Sequence, residues 1–165
     1  MARNVYGLDL GSYEIKDYDK KKDTIWKEKE VIALKNGRDI FAVGDDAFLM
    51  FEKAPSDIEV VFPMREGVIS RFHDMQFLLQ NLLKKDRQFA RGSEYVVAVP
   101  TDVTEVEKKA FFDLVIHSTA KAREVNIVER SIADAIGLNL DIHLKPILFQ
   151  LADDLFLLLN SFCQI

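Results

Sequence analysis

The second half of the chain constrains the fold most, because two short strand-like runs there are separated by one helix-length segment. Tyr95-Val96-Val97-Ala98-Val99 is continuously apolar, the pattern of a strand covered on both faces. Pro100-Thr101-Asp102 turns the chain, and Thr104 with Glu107 spells a capping box at the start of a helix. That helix is expected to place Val106, Ala110, Leu114 and Val115 on one face. Residues 125–128 read as a second covered strand, and Ser131 stands as the cap of a further helix through Ile136 to Gly137. Strand, helix, strand, helix implies a parallel pair joined by a right-handed crossover.

The first half is connected by tight turns instead. Residues 5–10 are apolar except for Asp9 and run directly into Gly11-Ser12, which reads as a buried strand and a turn. Residues 14–19 alternate, with Ile15 and Asp17 on the core side and Lys16 and Tyr18 on the other. The charged run from Asp19 to Asp23 turns the chain into a third, β-prone segment at Thr24-Ile25-Trp26, completing an antiparallel meander. Asn36-Gly37 marks a hairpin between residues 31–34 and 40–43. Gly44-Asp45-Asp46 begins a short helix carrying Ala47, Phe48 and Phe51, and residues 58–62 form a strand stopped by Pro63. Asp74 is the expected N-cap of a helix through Lys85, with Met75, Leu78, Leu79, Leu82 and Leu83 at helical spacing. A meander joined to a parallel strand–helix unit predicts an α/β protein with a mixed sheet flanked by helices.

Composition narrows the function classes. The chain has 165 residues, with 22 Lys and Arg against 27 Asp and Glu, for a net charge of −5. That length suits about one domain of ~150 residues, and an acidic chain lacks the electrostatic footprint of a nucleic-acid binder. The single cysteine, Cys163, offers no internal disulfide, as expected of a reducing compartment. His73, His117 and His143 are too scattered for a sequence-local metal site. The N-terminus has no apolar segment of the kind a secretory signal needs, so a cytoplasmic location is expected.

The segment with the most chemistry is Gly7-Leu8-Asp9-Leu10-Gly11-Ser12. A carboxylate on a buried strand is costly unless something pairs with it. One reading is an ordinary β-turn with Asp9 bonded to its own loop. The other is a nest of backbone N–H groups that binds phosphate, with Asp9 facing, through waters, a Mg²⁺ carried by the same phosphates. A second segment admits two readings as well. Lys84, Lys85, Arg87 and Arg91 surround Phe89, either as a solvated helix end or as a membrane-surface contact in which basic residues meet lipid phosphates and the ring inserts.

Five collinear segments together resemble one family, the bacterial actin-like rod-shape-determining proteins (MreB and its Mbl paralogues). They are Gly7-Leu8-Asp9-Leu10-Gly11-Ser12, then Phe41-Ala42-Val43-Gly44-Asp45-Asp46-Ala47, and Pro63-Met64-Arg65-Glu66-Gly67-Val68-Ile69. The run from Val97 to Ala110 follows, and last come Ala122-Arg123-Glu124-Val125, Glu129 and Ala133-Asp134-Ala135-Ile136-Gly137. The resemblance spans residues 4–140. It implies an actin-like ATPase (ribonuclease H-like) half with a mixed five-stranded sheet and a small inserted α+β subdomain. Residues 1–30 and 77–143 would form the larger subdomain, and residues 31–76 the insert. It also implies ATP and Mg²⁺ as cofactors, filaments built by self-association, maintenance of rod shape, and work at the inner membrane face with the cell-wall elongation machinery. By the same resemblance, Asp9 is the magnesium-side aspartate and Gly11, Ser12 and Tyr13 supply the phosphate loop; Phe89, Arg87 and Arg91 are the expected membrane contact on their own charges and ring. The rivals are another actin-fold ATPase, a chaperone-, pilus- or division-type adaptor, and a non-catalytic fragment that only binds partners.

The chain departs from the family at three places. Tyr13-Glu14 replace small or amide residues beside the phosphate loop. Arg130-Ser131 stand where the family has Glu-Pro, leaving Glu129, one position earlier, as the catalytic candidate. Residues 144–165 form an atypical apolar tail without glycine, containing Pro146 and leucines at helical spacing, and they show no second phosphate loop. The expectation is a truncated or frameshifted relative with little ATPase activity.

Overall fold

The computed structural model describes residues 4–86, 92–118 and 122–138. A five-stranded sheet organises it. Strand β1 (Val5–Leu10) pairs antiparallel with β2 (Glu14–Asp19), which pairs antiparallel with β3 (Thr24–Lys29). The charged turn between β2 and β3 is closed by Asp19, whose Oδ1 accepts from the amides of Lys21 and Lys22 at 2.9 and 3.1 Å. Asp23 completes the turn with a positive φ.

The chain then builds a second, three-stranded sheet from β4 (Ile32–Lys35), β5 (Asp39–Val43) and β6 (Ile58–Val61), with β4 in the centre. Asn36 and Gly37 both have positive φ, as the Asn-Gly turn requires. Helix α1 (Asp45–Phe48) is a single turn, so Phe51 falls beyond it. Its N-cap, Gly44, has φ 64°, and a side chain there would strike the Glu28 carboxylate. That carboxylate instead accepts from the Asp45 amide at 2.6 Å, tying the second sheet to the end of β3.

After a small hairpin of β7 (Met64–Arg65) and β8 (Val68–Ile69), helix α2 (Phe72–Asp86) begins. It starts two residues before the expected cap. The Met75 amide donates to the Arg71 carbonyl at 2.9 Å, so the helical ladder is already running when Asp74 is reached. Asp74 sits in the first turn, ion-paired with Arg71.

Strand β9 (Glu94–Val99), helix α3 (Glu105–Ile116), strand β10 (Glu124–Glu129) and helix α4 (Arg130–Gly137) complete the described chain. Both β9 and β10 run parallel to β1, giving the order β10-β9-β1-β2-β3. The parallel crossover and the mixed five-stranded sheet expected from sequence are both present. Tyr95, Val97 and Val99 are buried, whereas Val96 and Ala98 are half-buried, so β9 is fully covered on one face only. Met75, Leu78, Leu79, Leu82 and Leu83 of α2 share one core with that face and with Phe111, Leu114 and Val115 of α3.

Two expectations for these helices are corrected. Val106 is 79% exposed and Phe111 takes its place in the core. At about 100° per residue Val106 lies roughly 140° round the helix from Phe111, so both cannot face the sheet. Ser131 does not cap α4: Glu129 is the N-cap, without a side-chain capping bond, and Ser131 lies inside the first turn. The expected membrane-contact residues Arg87, Phe89 and Arg91 lie outside the described residues, as does the tail at 144–165.

Candidate functional site

The carboxyl ends of β1, β9 and β10 lie side by side, the edge at which open α/β sheets place ligands. Register fixes who meets there. Asp9 is opposite Lys16 on β2 and Ala98 on β9, and Ala98 is opposite Val128 on β10. Two residues past Val128, Arg130 reaches back across the small Ala98. Its Nη2 and Nε donate to Asp9 Oδ1 at 2.9 and 3.2 Å, and its Nη2 lies 3.4 Å from the Leu10 carbonyl. The Lys16 ammonium approaches the other carboxylate oxygen, Oδ2, at 3.4 Å. Asp9 is therefore half-buried between two cations.

The walls of this edge come from three loops. Past β1, Gly11 turns the chain and its amide donates to the Glu14 carbonyl at 3.2 Å, so that N–H is already committed. A Cβ at Gly11 would lie 2.9 Å from the same carbonyl oxygen, which is why the turn takes glycine. The amides of Ser12 and Tyr13 have no acceptor among the described residues. Ser12 Oγ accepts from the Gly67 amide at 2.9 Å, docking the β7–β8 turn onto the loop. Past β9, the Thr101 hydroxyl meets the Ser131 hydroxyl at 3.0 Å. Tyr13 itself is exposed, with the Lys29 ammonium 3.9 Å from its ring centre and Phe48 edge-on at 6.0 Å.

Asp134, one turn along α4, completes the group. Desolvation raises its carboxyl above the ordinary carboxylate range, and Arg130 pulls it back down. Of the residues named from sequence, Asp9, Gly11, Ser12, Tyr13 and Arg130 gather at this edge. Glu129, the catalytic candidate, ends β10 as the N-cap of α4 and makes no side-chain capping bond. His117 ends α3, its ring beside the Asp113 carbonyl, as a surface residue would. Lys16, Thr101, Ser131 and Asp134 were missed as site residues. Lys16 was accessible in principle, because a tight turn at Gly11 sets the β1–β2 register and places it opposite Asp9.

A Mg²⁺ held against Asp9 does not fit these residues. Both carboxylate oxygens already face cations, so a divalent ion in contact with Asp9 would have to displace a guanidinium and an ammonium, and one held through waters would sit against both positive charges. Among the described residues no three His, Cys, Asp or Glu side chains gather to hold an ion.

The sheet order, the helices on it and the glycine turn at the carboxyl edge define an actin-like fold. The structure of MreB5 of Spiroplasma citri bound to AMPPNP superposes with a TM-score of 0.76 at 26% identity, over 86% of this chain and 43% of that one. A MamK double helical filament shares the fold with a TM-score of 0.70 at 19% identity, over 84% and 44%. The family model for MreB/Mbl protein matches residues 3–146. The chain is 33% identical over 150 residues to cell shape-determining protein MreB of Escherichia coli (strain K12), covering 86% of this chain and 43% of the relative. It is 31% identical over 144 residues to cell shape-determining protein Mbl of Bacillus subtilis (strain 168), covering 86% and 42%. The chain belongs to the MreB/Mbl family of actin-like cell shape-determining proteins, and it spans less than half the length of these relatives.

Proposed function

We propose that this chain binds ATP at the carboxyl edge of its five-stranded sheet and takes part in filaments that maintain rod shape, in the cytoplasm at the inner membrane face. The observation that carries the nucleotide reading is the glycine turn after β1, which leaves the Ser12 and Tyr13 amides without acceptors beside Arg130 and Lys16. Backbone amides in a turn are donors suited to phosphate oxygens. The similar MreB5 of Spiroplasma citri was solved with AMPPNP, and the fold relative MamK as a double helical filament; both support the reading.

Residues 1–30 and 77–143 would serve as the nucleotide-bearing subdomain and residues 31–76 as its insert. Membrane contact is assigned to Arg87, Phe89 and Arg91, whose charges suit lipid phosphates and whose ring suits the acyl boundary. Cell-wall elongation proteins are the partners this role would require. Hydrolysis is expected to be negligible. Orienting an attacking water needs a carboxylate or amide at the right place, and Arg130 supplies neither.

The test is binding and turnover together. A fluorescent ATP analogue titrated against the full chain should show reversible, saturable binding, with phosphate release no faster than in the buffer. Absence of binding sinks the nucleotide reading, and steady phosphate release that disappears in Asp9→Ala sinks the claim of negligible hydrolysis. Pelleting of the chain on addition of ATP would support self-association, and its absence across millimolar ATP would count against it.

A further inference from the structure

The ion pair between Arg130 and Asp9 has a use beyond neutralising a half-buried carboxylate. A guanidinium carries five N–H donors in a planar fork. Here Nε and Nη2 are engaged on Asp9 and the Leu10 carbonyl, while Nη1 has no acceptor among the described residues. The Arg130 side chain is 20% exposed and that of Lys16 44%, so an anion can reach both. Two cations against one carboxylate leave about one positive charge at the mouth of the glycine turn. Asp134, exposed one turn along α4, is a further acid toward this group and opposes that excess.

We propose that Arg130, flanked by Lys16, stands in for a divalent cation at this edge, so that a nucleoside polyphosphate binds here without magnesium. The proposal rests on the nucleotide reading above and adds its cation requirement. The ligand's phosphate oxygens are met by the guanidinium, the ammonium and the Ser12 and Tyr13 amides. A guanidinium recognises phosphate through paired, charge-assisted hydrogen bonds. Magnesium would compete for the same oxygens and would be repelled by the two cations. ATP without its magnesium carries more negative charge, so removing the metal should leave its affinity equal or tighter.

The experiment titrates the fluorescent ATP analogue into the full chain, once with EDTA and once with excess Mg²⁺, for wild type, Arg130→Gln, Arg130→Lys and Asp9→Asn. Wild type should bind at least as tightly in EDTA as in Mg²⁺. Arg130→Gln should lose about tenfold or more in EDTA, the value of one charged hydrogen bond, and Arg130→Lys should recover much of it. Asp9→Asn should bind more tightly, because it frees the guanidinium; an aspartate that acted through a metal would lose binding instead. Magnesium strengthening wild-type binding about tenfold would overturn the proposal and leave the nucleotide reading intact. Equal binding by wild type and Arg130→Gln in EDTA would also overturn it. No binding in either condition removes both. Circular dichroism melts establish that each variant folds, and if Arg130→Gln does not, weaker binding by Asp9→Asn is the result that refutes.

Discussion

Glu30 is fully buried, and its two carboxyl oxygens are treated unequally. Oε1 accepts from the Met64 amide at 3.0 Å, while Oε2 has no hydrogen-bond partner in the described structure. Burial pushes the group up to about 9, and the Met64 bond only partly opposes it. The residue also joins two regions, because its own amide donates to the Tyr13 carbonyl at 2.9 Å, beside the glycine turn. In the folded state Glu30 is therefore a neutral acid at pH 7, whereas in the unfolded chain it ionises near 4.5. Between those values the folded state holds the extra proton, so its contribution is fully present below about 4.5 and is lost as the pH rises through about 9. Glu30→Gln keeps the shape without the charge. Urea unfolding at pH 5 and pH 8 should show the variant gaining stability relative to wild type as the pH rises. A wild-type-minus-variant difference that stays flat across that window would mean Glu30 is ionised when folded.

Helix α3 shows how local and tertiary signals divide one element. Its start is set locally. The Thr104 amide donates to Glu107 Oε2 at 2.7 Å, and the Glu107 amide to Thr104 Oγ1 at 3.3 Å, closing the box that the sequence spells. The Thr104 hydroxyl, donating to Glu107 Oε2 at 2.7 Å, and then the Thr104 amide hold the Glu107 carboxyl below its ordinary range. Its buried face is set by the sheet, which takes Phe111, Leu114 and Val115 and leaves Val106 in solvent. Thr104→Ala should cost about 1 kcal/mol, Phe111→Ala about 3–5 kcal/mol, and Val106→Ser within about 0.5 kcal/mol of nothing. Chemical denaturation of the three variants gives the order, and a Val106 variant as costly as the Phe111 variant would place the wrong face against the sheet.

Stability should be uneven across the whole molecule. Strands β1 and β9 are paired on both sides and carry Leu8, Leu10, Tyr95, Val97 and Val99 into the main core. The second sheet joins the main core on one face through Ile32, Leu34 and Val61 and rests on a smaller cluster around Val31, Ala33 and Ala47 on the other, while its edge strand β5 leaves Ile40 and Phe41 exposed. Few buried apolar contacts and solvent-exposed backbone bonds are the marks of segments that open first. Native-state hydrogen exchange should find the Leu8 and Val97 amides the slowest and those of β5 open well before global unfolding. Equal protection of β1 and β5 would make the two sheets one cooperative unit.

Much of this architecture is legible without coordinates because it rests on short-range rules. The apolar run at 95–99, the capping box at Thr104 and the Asn36-Gly37 turn each specify their own local geometry, and the crossover follows from chain length and handedness. Helix starts differ from the expected caps where other bonds outrank them: at Asp74 the local bond from the Met75 amide to the Arg71 carbonyl already carries the helical ladder, and the Ser131 hydroxyl meets Thr101, 30 residues away. The site was half legible. Asp9 and the Gly11 turn lie within one short stretch of chain, and the Asp9–Lys16 pairing follows from their register. Arg130 on Asp9 could not be read in advance, because 121 residues separate them and only the parallel stacking of β10, β9 and β1 sets them side by side. Local sequence carries turn, cap and alternation, but a charge pair between distant strands exists only once strand order has been settled by burial of the core.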